Sequence, residues 1–231
     1  MIRIKGLTAK LYNRLNRHKI LNKSEYWDAK ANFYHGLAVS LWPNCYFDEL
    51  FDHEQKAVLS DYMDRIKGKN ILDIGCGTGR LSEFFAESGF RVRGIDFSER
   101  SIVIARQNSR QDNPDYIVKS AWDIKDSNFY DAVISCGCLS STCKDADELK
   151  KLLKIIYEAL KPGGVLLISE PVHKGFLRRA LNMNAKEFKK ALEESRFQVV
   201  SSKNLSFWPA MLVLANIHWP KNITVWVLWN R

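Results

Sequence analysis

Residues 70–80 read NILDIGCGTGR, and no other stretch of the chain limits its fold so tightly. An apolar run ends in three glycines at alternate positions, Gly75, Gly77 and Gly79, and a helical pattern, RLSEFFAESG (80–89), starts at once. Glycines at this spacing let the backbone turn sharply and approach a ligand without Cβ clashes. The first N–H groups of the following helix then point toward the bound molecule. Seventeen residues past Gly79, at the tip of the next apolar run (RVRGID, 91–96), stands Asp96. An acid there accepts hydrogen bonds from the two ribose hydroxyls of an adenosine.

The rest of the chain repeats this alternation. Apolar runs at DYIVK (115–119), YDAVIS (130–135) and GVLLIS (164–169) are separated by ERSIVIARQN (99–108) and DADELKKLLKIIYEALK (145–161), which carry apolar residues at three- and four-residue intervals. This is the pattern of a parallel sheet with crossover helices. Ser98 suits the N-cap of the second helix, and Gly89 and Pro162-Gly163-Gly164 suit stops. A further helix, NAKEFKKALEESR (184–196), leads into FQVVSSK (197–203), and ITVWVLW (223–229) reads as a buried strand.

Which nucleotide the turn takes follows from what is missing. Position 80 is Arg where the dinucleotide fingerprint G-x-G-x-x-G needs its last glycine, and no G-x-x-x-x-G-K-[ST] occurs. The run is G-x-G-x-G preceded by an acid, Asp73. From ILDIGCGTGR through GIDFS, SAWDI, YDAVISCGCL and LKPGGVLLISEP, roughly residues 50–175, the chain resembles class I S-adenosylmethionine-dependent methyltransferases. The resemblance implies a Rossmann-like α/β fold: a seven-stranded, mostly parallel sheet flanked by helices, with one antiparallel strand near the end. It implies that Asp73, Gly75, Cys76, Gly77 and Gly79 hold the methionine portion of S-adenosylmethionine. Asp96 and Phe97 would hold the ribose, Ala121, Trp122 and Asp123 would frame the adenine, and Cys136 would lie beside the sulfonium. Residues 1–50 are expected to form a helical lid and 51–231 the cofactor-binding domain.

Three of the five cysteines, Cys136, Cys138 and Cys143, fall in SCGCLSSTCK (135–144). The spacing C-x-C-x4-C matches no zinc framework. The simplest reading is compact apolar residues lining the cofactor's neighbourhood. The sharper one is a thiol set capturing a soft acceptor such as arsenite.

For the acceptor, SEPVHKGFLRR (169–179) follows the fifth strand, and ligands of parallel sheets bind at the carboxyl ends of the strands. Glu170 and His173 are therefore expected to face the pocket, with His173 the better base because imidazole titrates near neutrality. His35, in the polar-aromatic segment 24–44, is the second candidate. YWD at 26–28 resembles the WWD near the start of ubiquinone-pathway O-methyltransferases. Those enzymes carry an acidic, histidine-containing, metal-associated segment after the fourth strand. This chain has CGCLSSTCK there, so no catalytic metal is expected.

Composition narrows the partners. A chain of 231 residues that is 46% hydrophobic and 26% charged can build a core, and five irregularly spaced cysteines make no secreted disulfide framework. The start is basic without the apolar run of a signal peptide, so a cytoplasmic location is expected. The net charge of +9 is concentrated there, around an apolar stripe of Leu7, Leu11 and Leu15. That suits a helix lying on a membrane surface, on a partner, or docked on its own domain. FWPAMLVLANIHWP (207–220) is broken by two prolines and offers a greasy wall rather than a span. The expected activity is methyl transfer, O-methylation favoured, to a small lipophilic acceptor. A nucleic-acid acceptor would also explain the charge, but no N/D-P-P-[FYW] signature follows the fourth strand. A non-catalytic cofactor-binding subunit is the remaining reading.

Overall fold

The computed structural model describes residues 16–39, 45–109, 112–172, 174, 179–205 and 223–230. Its strands are β1 (Asn70–Ile74), β2 (Arg91–Asp96), β3 (Asp115–Val118), β4 (Tyr130–Cys136), β5 (Leu160–Pro171), β6 (Phe197–Asn204) and β7 (Ile223–Asn230). They form one sheet in the order β3-β2-β1-β4-β5-β7-β6. β1 to β5 run parallel, and β7 lies antiparallel to both β5 and β6. The helices of two turns or more are α1 (Ser24–Phe33), α2 (Cys45–Ser60), α3 (Arg80–Glu87), α4 (Glu99–Asn108), α5 (Ala146–Ala159) and α6 (Ala185–Glu194).

The central strands are apolar on both faces because both are covered. Val165 and Leu167 of β5 and Ala132 and Ile134 of β4 pack with Leu59 of α2 and Phe85 of α3. Their alternate neighbours Leu166, Ile168 and Val133 pack with Leu149, Leu152, Leu153 and Ile156 of α5 and Phe188 of α6. Each such fully buried side chain contributes about 1.5–3 kcal/mol. The helix starts are fixed locally. Ser98 Oγ accepts from Ser101 N, Asp145 from the N–H groups of Asp147 and Glu148, and Asn184 forms a capping box with Glu187.

Two boundaries differ from the sequence reading. The helix expected over 145–161 ends at Ala159, because Leu160 already pairs with Tyr130 and Gly163 (φ +74°) turns the chain into the strand proper. The lid boundary expected at residue 50 falls inside α2, whose buried Phe51, Gln55, Val58 and Leu59 run continuously along the sheet side. Among the described residues no helix is long and apolar enough to cross a membrane. The stripe at Leu7, Leu11 and Leu15 and the stretch 207–220 lie outside the described residues.

Candidate active site

The carboxyl ends of β1, β2, β4 and β5 open into a cleft of about 280 Å³, near the lower end of the range of small-molecule sites (about 300–1,000 Å³). The glycine turn forms its floor. Gly75 and Gly77 have φ of +71° and +56°, and the N–H groups of Gly75 and Cys76 both donate to Ile95 O, at 2.8 and 3.0 Å. A Cβ on Gly75 would stand 2.7 Å from Cys138 Cβ, so only glycine lets the turn lie this close to the loop after β4. Gly79 (φ +89°) serves packing instead: a Cβ there would strike the Tyr116 hydroxyl.

Asp96 closes the second side. Its Oδ2 accepts from Gly77 N at 2.9 Å and its Oδ1 from Ser98 N at 2.8 Å. A carboxylate offers about four lone-pair positions, so two remain for hydroxyl donors from the cleft. Burial pushes the Asp96 pKa up to about 6, against the pull of these N–H groups. Asp73 lies buried beneath the turn, bonded by Ser82 Oγ at 2.7 Å, and burial likewise raises it to about 6.

Of the residues expected to hold the cofactor, Gly75, Gly77, Asp96, Phe97, Ala121, Trp122 and Cys136 line the cleft. Four do not. Asp73 and Gly79 act from behind, as described. Cys76 turns into a small cluster with Ile102, Ala105 and Tyr116. Asp123 is solvent-exposed at the end of the single turn Ala121–Asp123 and forms no part of the wall.

The expected catalytic groups separate. His173 lies outside the described residues. His35 is exposed and absent from the wall; Gly36, at φ +58°, turns the chain beside it. Glu170 is fully buried rather than facing the pocket. Its Oε1 accepts from Ser135 Oγ (3.1 Å) and Leu139 N (2.9 Å), and its Oε2 from Ser140 N (3.0 Å) and Ser140 Oγ (2.6 Å). It secures the turn Leu139–Thr142, whose first N–H groups need an acceptor.

Side chains that the sequence reading passed over complete the wall. Arg80 Nη2 donates to Gln55 Oε1 at 2.6 Å and Nη1 pairs with Asp52, while Gln55 Nε2 donates to Ser169 Oγ at 2.8 Å. Arg179 Nε donates to Ser141 Oγ at 3.0 Å and Nη2 to Gly137 O at 2.9 Å. Of the clustered cysteines, Cys136 and Cys138 line the cleft and Cys143 is buried away from it. Burial raises all three thiols, Cys138 to about 12, so they stay protonated at neutral pH. Capture of a soft acceptor needs thiolates, and the site does not favour them.

Residues 71–164 match the family described as a methyltransferase domain. The ubiquinone biosynthesis O-methyltransferase of Idiomarina loihiensis is 34% identical over 116 residues, which cover 48% of this chain and 46% of that one. The chain thus spans about half the length of the curated relatives it matches. Among solved structures, phosphoethanolamine N-methyltransferase 1 of Haemonchus contortus aligns with a TM-score of 0.70 at 18% identity, over 92% of this chain and 48% of that one. Magnesium protoporphyrin IX methyltransferase of Synechocystis, solved with S-adenosylmethionine bound, aligns at 0.64 and 16% identity over 98% and 99%. At these identities the structural likeness is one of fold. The family match over residues 71–164, the sheet order and the glycine turn facing Asp96 agree: that segment is similar to methyltransferase domains, and the chain shares the fold of the solved methyltransferases it aligns with.

Proposed function

We propose that this chain transfers a methyl group from S-adenosylmethionine to oxygen on a small lipophilic acceptor. The observation that carries the reading is the continuity of the cleft. The glycine turn and Asp96 form one end, and the wall runs on without a break to Cys136, Cys138, Thr142 and Pro171. The residues fit the cofactor: Asp96 has acceptor positions for both ribose hydroxyls, Trp122, Ala121 and Phe97 offer flat apolar surface for a purine, and the turn admits close approach. When bound, S-adenosylmethionine supplies a methyl group already activated on a sulfonium. The protein's task is then positioning and exclusion of water, and holding two reactants in line contributes up to about 7–11 kcal/mol.

Support for oxygen and for a lipophilic acceptor comes from the named activity of the Idiomarina relative and from the apolar share of the wall. His173 is the proposed base, on its place after Val172 at the end of β5 alone. The segment before Leu21, with six Lys and Arg from Arg3 to Lys19, is proposed to touch anionic membranes; added anionic vesicles should then raise activity, and indifference to them counts against it.

The test is incorporation of label from methyl-labelled S-adenosylmethionine into a panel of phenols and polyprenyl-linked compounds. Labelled lipophilic ether or ester supports the proposal. Cofactor binding without transfer to any small molecule supports a cofactor-binding subunit instead.

A further inference from the structure

The acid of YWD has a partner the sequence could not reveal. Asp28 Oδ1, on α1, accepts from Ser98 Oγ at 2.6 Å and from Arg100 N at 3.1 Å, across seventy residues of chain. Ser98 already caps α4, and its own N–H holds Asp96 Oδ1. One serine therefore joins the N-terminal helix by its hydroxyl and the ribose-facing carboxylate by its amide. α1 packs along α4, and its Trp27 lines the cleft; Trp27 Nε1 donates to Leu21 O at 2.8 Å, and Leu21 lines the cleft as well.

The geometry points to Asp28 as a positioning residue: it caps α4 from α1, fixing Trp27 and Leu21 over the cleft and Ser98 against Asp96, and so sets the affinity for the cofactor. This rests on the methyltransferase reading for the identity of the ligand. The latch itself is visible without any ligand. The first turn of α4 gains a second capping acceptor, one that is charged, and hydrogen bonds to charged groups are the stronger kind. Asp28 also acts on Asp96 through space. The titratable groups coupled electrostatically to Asp96 include Asp28 from α1, Asp73 from β1, Cys76 from the glycine turn and Cys138 from the loop after β4. Of these, Asp28 and Asp73 are carboxylates, and removing the Asp28 charge makes Asp96 easier to ionise.

The experiment compares wild type, Asp28→Ala and Asp28→Asn by calorimetric titration with S-adenosylhomocysteine from pH 5 to 8 and by amide hydrogen exchange of the apo proteins. Asp28→Ala should bind about tenfold more weakly at pH 7.5, the scale of one lost charge-assisted hydrogen bond, and should exchange faster over residues 24–33. Asp28→Asn keeps the acceptor oxygen, so it should restore affinity at pH 7.5 while moving the acid limb of the binding profile to lower pH. A merely structural helix contact predicts no such shift. Asp28→Ala binding as the wild type does, or unchanged exchange over 24–33, overturns the proposal. Wild-type protein that fails to bind the ligand sinks the methyltransferase reading instead, and the exchange comparison still decides the latch.

Discussion

Replacing Glu170 should cost stability, not chemistry, and the size of the loss follows from its four hydrogen bonds. In Glu170→Ala the N–H groups of Leu139 and Ser140 lose their acceptor inside the protein. Each buried donor left unsatisfied costs about 1–3 kcal/mol. The hydroxyls of Ser135 and Ser140 can rotate to other acceptors, so they add less. Two donors at mid-range give about 4 kcal/mol. For a chain of this size each kcal/mol lowers Tm by about 2–4 °C, so Glu170→Ala should melt about 8–16 °C below wild type. Glu170→Gln keeps the shape but turns an amide N–H₂ toward donors, and about half that loss is expected. Burial also pushes the Glu170 pKa up, with Arg179 and the N–H donors opposing it. The folded protein therefore holds this proton more tightly than the unfolded chain, and this group's contribution to stability falls as pH rises above the ordinary glutamate range. The assay is thermal and urea unfolding beside S-adenosylhomocysteine titration. A Glu170→Gln protein with wild-type Tm, normal cofactor affinity and abolished methyl transfer would refute the reasoning and return Glu170 to the chemistry.

The cofactor end carries two further predictions. In the proposed site the ribose hydroxyls would donate to ionised Asp96, whose pKa is pushed up to about 6, so affinity for S-adenosylhomocysteine should be flat above pH 7 and fall as pH drops below 6, by up to tenfold per unit; a profile flat from pH 5 to 8 contradicts the assignment. Gly75→Ala forces a Cβ to 2.7 Å from Cys138 Cβ at φ +71°, and should lose about 2–5 kcal/mol of stability by urea unfolding together with cofactor affinity; wild-type behaviour in both would show the turn to be more open than described.

The parts legible in the sequence are those whose meaning is local. The glycine turn, the acid seventeen residues on and the Ser98 cap each depend on neighbours in the chain, and each is found where the spacing puts it. Glu170 was misplaced because the end-of-strand rule was applied without the period of two. Leu166 and Ile168 face α5, so Glu170 faces that side as well, while Ser169 turns to α2 and the cleft. The same alternation through the turn sends Cys76 into the core while Gly75 and Gly77 line the cleft. Asp28, Gln55 and Arg179 were illegible for another reason: their partners lie between 25 and 114 residues away, and no spacing rule reaches them.

The central claim is that the glycine turn and Asp96 bind S-adenosylmethionine. Calorimetric titration of wild type and Asp96→Ala with S-adenosylmethionine and S-adenosylhomocysteine tests it most directly. The account predicts saturable one-to-one binding by wild type and its loss in a folded Asp96→Ala. Folded wild-type protein that binds neither molecule, or an Asp96→Ala that binds both as well as wild type, would contradict it.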